Sequence, residues 1–414
     1  MAFIDVPMTS QRLRVAERFW RAAMVSLAIT PLGMSIAHRS SPVYVVLSAV
    51  LCLVATSLEG RIRPFLRRLS AALTSPLGLA VLAFVGWTLM SVGWSEFGSV
   101  SLRAFGEFWL PIAAALILAL TLPKYLTRQM FWILAGTFLL SGIIIVAELG
   151  TGLVLRKAIG VRADPFIFNR PVLTLLMLAL PLTAWILDDL RRGAVWGLAL
   201  LLFLTAVVMQ SESDAAVLGL AIICLTFPMA WFVPRVTFVL VAFAVLVAFC
   251  VSPLVGPIAA QLIPPAMHEK MASSHSKERV ELWQSFGYVV REKPILGSGF
   301  GISPRMAETT IAQKVPVEHQ RMLNIGHPHN AALQIWVELG AIGAAIAVFI
   351  AFLTLRAVWR LPHLTRCASM ALIAGAGPVA LVGHGAWQGW WAASLGAAII
   401  WMQAASRFQT ETKS

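Results

Sequence analysis

Two histidines, His327 and His329, flank Pro328 and are followed by Asn330 and an apolar run beginning at Ala331. Proline discourages helix in the residue before it, and asparagine is a good helix N-cap. The pattern therefore predicts a helix starting just after Asn330, with His329 at its positive end. A helix N-terminus favours the neutral imidazole that a general base requires, and it also favours a bound anion. Gly340 and Gly343 follow about three turns later and make a small-residue stripe, which lets another helix pack closely. The alternative for the two histidines is that they only satisfy loop backbone groups.

Upstream, "SHSKERVELWQSFGYVVREKPILGSGFG" reads as an amphipathic helix followed by a Pro/Gly-rich turn. Arg279, Trp283, Phe286 and Val290 share one helical face. Such a helix can lie flat among lipid headgroups, with Arg279 at phosphate depth. A snorkelling arginine bound to any lipid phosphate explains the same pattern. The amides of "PILGSGFG" could approach an anion. A second basic segment, roughly 150–168, holds Arg156, Lys157 and Arg162 with Asp164 as its one acid, and Arg170 lies just beyond. The best metal-ligand candidate is Glu212 with Asp214, although helix ends are often acidic; the abundance of arginine favours a site with no metal. Glu107, Glu148 and Glu338 are acids within apolar runs. Structural pairing is expected for Glu107 and Glu338, and Glu338, opposite His329 on its helix, is not expected to orient that histidine. His384 and Gln388 could line a cavity, and Trp387, Trp390 and Trp391 could anchor span ends or stack on sugar.

The elements that hold these residues are set by composition. The 414 residues are 59% hydrophobic and 12% charged, with mean hydropathy +0.81. No soluble domain of that size hides so much apolar surface. The chain is expected to be an all-α polytopic membrane protein with about 12 spans. Their limits fall near 20–37, 42–58, 75–94, 103–122, 128–149, 169–188, 193–210, 215–232, 236–255, 331–355, 367–386 and 389–405. Three regions result: spans one to nine in 1–255, with the small outer loop; a large outer loop with amphipathic helices over 256–330; and spans ten to twelve in 331–414. Five of the eight histidines lie in the large loop: His268, His275, His319, His327 and His329. With the N-terminus inside, "GRIRPFLRRLS", Arg191/Arg192 and Arg356/Arg360/Arg366 are all cytoplasmic, and the short outer loops hold only Arg39 and Arg103. Both termini are thus expected inside. The net charge of +13 has this topological explanation and does not call for nucleic acid. The arginine-rich N-terminus reads as an uncleaved first span. Cys52, Cys224, Cys250 and Cys367 lie in or beside apolar runs without CxxC spacing, so neither zinc nor a disulfide framework is expected.

The loop arginine in "RVELW", the "PILGSGFG" turn, and His329-Asn330 followed by nine residues, Gly340, two residues and Gly343 resemble the O-antigen ligase and polymerase superfamily. The second motif fits without a gap. The arginine motif is looser, because Trp283 stands where leucine is common. The resemblance implies a C-type glycosyltransferase of the bacterial inner membrane, with its active site facing the periplasm. It implies a glycan donor on undecaprenyl pyrophosphate. In the ligase branch the acceptor is lipid A–core oligosaccharide. His329 would be the catalytic base; Arg279, Arg162 and Arg156 would hold the pyrophosphate; His327 and Asn330 would orient the base or the diphosphate. No cofactor is expected, and membrane lipids are the surrounding partners. Two rivals stand beside the ligase: the polymerase, with a lipid-linked glycan as acceptor, and a transporter for a lipid-linked sugar.

Overall fold

The computed structural model describes residues 10–264 and 276–411. His268 and His275 lie outside the described residues. Among those residues the chain is all-α. In chain order the helices are α1 Ser10–Ala28, α2 Thr30–Ile36, α3 Ser41–Leu58, α4 Ile62–Leu73, α5 Pro76–Ser91, α6 Gly98–Thr121, α7 Arg128–Gly150, α8 Val154–Ala158 and α9 Asn169–Asp189. They continue with α10 Gly193–Gln210, α11 Asp214–Phe232, α12 Pro234–Val251, α13 Val255–Leu262, α14 Ser276–Glu292, α15 Val317–Gln320, α16 Ala331–Trp359, α17 His363–Pro378 and α18 Gly389–Glu411.

Ten of these stretches are long and apolar enough to cross a membrane, and α1 with α2 makes an eleventh, bent by 51°. The bend falls where Pro31 opens α2 and cannot donate back into α1. The stretch expected as the twelfth span is α18, a helix of 23 residues that does not count among these eleven. It is less apolar than the others because three tryptophans, Gln403 and two serines interrupt it, and most of it is buried against protein. The chain is a multi-pass membrane protein.

The chain forms two compact units. The first comprises Met1–Thr74, Trp109–Glu212 and Gly389–Ser414; α9 is its centre, with Val172 to Leu178 wholly buried. A helix apolar all round is one enclosed by neighbours, and α9 packs on α7, α10 and α18. The second comprises Ser75–Phe108 and Ser213–Gln388 and carries His329. In it α14 does not lie flat on a lipid surface. Its Leu282, Phe286, Val289 and Val290 join Met322, Leu323, Leu333 and Val337 in one apolar core. The apolar face read from the sequence is real, but protein covers it.

Candidate functional site

His329 sits where two constraints meet. Asn330 caps α16, its side-chain oxygen accepting from the Leu333 N–H at 2.9 Å. His329 itself adopts φ +50°, a left-handed conformation that histidine tolerates better than most non-glycine residues. The turn puts the ring under the end of α17. There Pro378 is followed by a widened π-type turn, Val379–Gly383, whose last carbonyls have no intrahelical partner. Two consecutive carbonyls take the two candidate residues: Gly383 O lies 3.1 Å from His329 Nδ1, and Val382 O accepts from Arg279 Nη1.

The first contact sets the tautomer. A carbonyl only accepts, so Nδ1 carries the proton and Nε2 is left as the basic nitrogen. Burial holds the His329 pKa below the usual 6.5; the bond to Gly383 opposes that shift, and the nearby Arg279 guanidinium adds to it. The imidazole is neutral at pH 7, and the main cause is burial rather than the helix end. His327 supports it: its Nδ1 accepts the His329 backbone N–H at 3.3 Å, and the rings lie 4.2 Å apart. Trp283 fixes the turn from α14, its indole N–H donating to Pro328 O at 3.1 Å. Burial pushes the pKa of the half-buried Arg279 below its usual value, and Asp214 at the start of α11 opposes that shift. Glu107 pairs with Arg103 at 2.8 Å. Among the described residues no three His, Cys, Asp or Glu side chains converge as metal ligands.

The two motif glycines do a different job from the one expected. Gly340 has φ +64° and ψ −164°, which breaks α16 inside a span. Every backbone group freed at membrane depth needs a new partner. Val337 O and Glu338 O accept from Ser298 and Gly299 N–H, both at 2.9 Å; Leu339 O accepts from Trp87 Nε1 at 3.0 Å. Ala341 and Ile342 N–H donate to Pro294 and Ile295 O at 2.8 and 3.4 Å. A Cβ on Gly340 would lie 2.2 Å from Ile295 O. The close neighbour is thus the "PILGSG" segment and not a second span, while a Cβ on Gly343 would meet Leu339 of its own helix.

The same segment does bind a carboxyl group, but an internal one. Glu338, fully buried, accepts from Gly301 N–H, from the Ser303 hydroxyl and N–H, from Gln334 Nε2 at 2.8 Å and from Trp387 Nε1 at 2.6 Å. Gln334 Oε1 in turn accepts from Ala386 N–H at 2.8 Å. Glu338 makes no contact with His329. It ties α16 to residues 301–303 and 386–387, three residues beyond the carbonyl that orients the histidine. Trp387, half-buried, is consequently turned inward among Phe84, Phe108 and Phe300.

The first unit carries the other arginines. Glu148, buried near the end of α7, accepts from the Leu155 and Arg156 N–H groups at 3.1 and 3.3 Å and so fixes α8. Arg156 donates to Arg162 O and Ile36 O at 3.0 and 3.3 Å. Arg162 is mostly exposed and pairs with Asp164 at 2.6 Å. Around them stand His38, Arg39 and Arg170. The His38 pKa is driven down to about 4, first by burial and then by Arg170, Arg39, Arg156 and Arg162. Arg170 lies 5.8 Å from the Trp390 ring, and its buried Nε has no hydrogen-bond partner. Four guanidiniums and a neutral imidazole thus stand together, and among the described residues the ion pair they make is Arg162 with Asp164. Sequence reasoning reached Arg156, Arg162 and Arg170 but passed over His38, and it used Arg39 only for topology.

Comparison with known proteins finds a family match over the part of the chain that carries these residues. Residues 197–348, which include Arg279, His329, Asn330, Gly340 and Gly343, match a family model described as O-antigen ligase. A Rickettsia bellii protein named as a polysaccharide ligase is 26% identical over 222 residues, 52% of this chain and 53% of its own. A Rickettsia felis protein of the same name is 26% identical over 233 residues, covering 52% and 54%. The chain thus spans about half the length of the curated relatives it matches. By that match and these relatives, the stretch that carries Arg279 and His329 is similar to the O-antigen ligase family.

Proposed function

We propose that this protein is a ligase that transfers a glycan from undecaprenyl pyrophosphate to lipid A–core oligosaccharide, at the periplasmic face of the bacterial inner membrane with both termini cytoplasmic. The observation that carries the proposal is the His329 Nδ1 contact to Gly383 O, which leaves a neutral Nε2 as acceptor for a proton. His329 removes the proton from an acceptor-sugar hydroxyl. That oxygen attacks the anomeric carbon, the bond from that carbon to the phosphate oxygen breaks, and undecaprenyl pyrophosphate leaves with inversion. Charge developing on the leaving group needs fixed cations. Arg279 is one. We assign the cluster of Arg39, Arg156, Arg162 and Arg170 to binding the donor's diphosphate, with Arg170, whose Nε is unpartnered, ahead of Arg162, which Asp164 already holds. His327 and Asn330 hold the catalytic turn.

The test is transfer in vitro from an undecaprenyl-pyrophosphate glycan to purified lipid A–core. Chain lengthening without lipid A–core would instead identify a polymerase. Movement of labelled lipid carrier across a liposome membrane, with no glycosidic bond formed, would identify a transporter.

A further inference from the structure

A second polar cleft lies at the other end of α3 from His38. With 18 residues at about 1.5 Å each, α3 runs about 27 Å, close to the hydrocarbon thickness of about 30 Å. The cleft therefore sits at headgroup level on the opposite membrane face. Its lining includes Trp20, Glu59, Arg61, Arg68, Lys124 and Tyr125. Glu59 is internally satisfied: it accepts from Trp20 Nε1 at 2.8 Å and the Tyr125 hydroxyl at 3.2 Å, and pairs with Arg61 at 3.1 Å. Arg68 and Lys124 form no ion pair with any described residue, and Lys124 stands 4.6 Å from the Tyr125 ring. Three cations thus face one carboxylate that is already bonded. Burial first, then Arg61 and Arg68 beside it, hold the Lys124 pKa below its usual value against the opposing pull of Glu59.

The rim of the cleft is α4. Its helical spacing puts Ile62, Phe65, Leu69 and Leu73 on one side and Arg63, Arg67 and Ser70 on the other. Phe65 is buried, Leu66 is 53% exposed, and the arginines point outward. A short helix with an apolar stripe and an arginine face beside spanning helices belongs in the lipid interface. The volume is about 40 Å³. At about 10–15 Å³ for each water-sized group, that admits the oxygens of one phosphate and no sugar.

We propose that this cleft binds the phosphate of an anionic phospholipid, with Arg68 and Lys124 as its ligands and the acyl chains lying beside the apolar face of α4. The site is independent of the proposed transfer reaction. The test is native mass spectrometry of the full chain in detergent, titrated with phosphatidylglycerol and with phosphatidylcholine. One phosphatidylglycerol should be retained in preference to phosphatidylcholine. Arg68→Gln/Lys124→Gln should weaken it roughly thirtyfold, from the loss of two basic side chains at a charged surface. Arg63→Gln/Arg67→Gln, which alters α4 outside the cleft, should change it far less, and millimolar inorganic phosphate should not compete. Equal retention of the two lipids by wild type overturns the proposal, whatever the variants do. So does undiminished retention in Arg68→Gln/Lys124→Gln, while displacement by inorganic phosphate makes this a soluble-anion site.

Discussion

Replacing Gly340 by alanine should loosen the site from a distance. At φ +64° and ψ −164° the residue occupies a region open essentially to glycine, and a side chain there costs about 1–3 kcal/mol. The added Cβ would lie 2.2 Å from Ile295 O and 2.7 Å from Gly297 N, both backbone atoms, so the segment must shift. A shift endangers the paired bonds joining Ser298 and Gly299 to Val337 and Glu338, and Ala341 and Ile342 to Pro294 and Ile295. Each contributes about 0.5–1.5 kcal/mol, so losing two brings the total to roughly 2–6 kcal/mol. The assay is thermal unfolding in detergent, read by tryptophan fluorescence, with Gly60→Ala as the comparison. Gly60 has φ +64° but open space around a Cβ, so its variant isolates the backbone term of about 1 kcal/mol. Gly340→Ala should lower Tm by several degrees more than Gly60→Ala. Equal shifts would refute the reasoning that this glycine exists to admit the 294–299 segment.

Other outcomes follow from the same geometry. Glu338→Gln replaces one carboxylate oxygen by an NH2, set either against the Gly301 and Trp387 donors or against Ser303 and Gln334; the protein should reach the membrane, with kcat falling about tenfold and donor KM little changed, by loss of alignment at residues 386–387. Full activity in that variant would remove Glu338 from the positioning chain. Because burial keeps the His329 pKa below 6.5, the base is already deprotonated at neutral pH, and kcat should fall only as pH drops below 6.5; an acid limb above 7 would contradict the assignment. Arg170→Gln should raise donor KM more than Arg162→Gln does, measured by initial rates against donor concentration, because Arg162 is already paired. Activity should survive EDTA, and a loss restored by Mg²⁺ or Mn²⁺ would sink the arginine-only scheme.

The spans, the Asn330 cap and the histidine turn were legible because each rests on local chemistry: apolar run length, a side chain that bonds an amide three residues on, a proline before a helix. What the sequence hid is tertiary. The carbonyls of Val382 and Gly383, which hold Arg279 and His329, belong to a stretch that reads as the continuation of a span; only Pro378 and the glycines after it hint that the helix stops. The apolar face of α14 was correctly placed, yet periodicity cannot distinguish lipid from protein as its cover. Gly340 was singled out for the right spacing and the wrong neighbour, since a small residue admits any close backbone. Where an anion was expected at "PILGSGFG", the fold places the Glu338 carboxyl group, forty residues downstream. His38 and Arg39 joined the arginine cluster because the fold brings α2, α3 and α8 together in one unit, which no local pattern announces.

The central claim is that His329 Nε2 is the base, and single-turnover transfer to lipid A–core by wild type, His329→Ala and His329→Asn tests it most directly. Asparagine tolerates the left-handed turn and can still donate to Gly383, so its fold should be kept. Both variants should retain donor binding and wild-type thermal stability within a few degrees, while the transfer rate falls about 10²–10⁴-fold. A rate within a few-fold of wild type in either folded variant would place the base elsewhere.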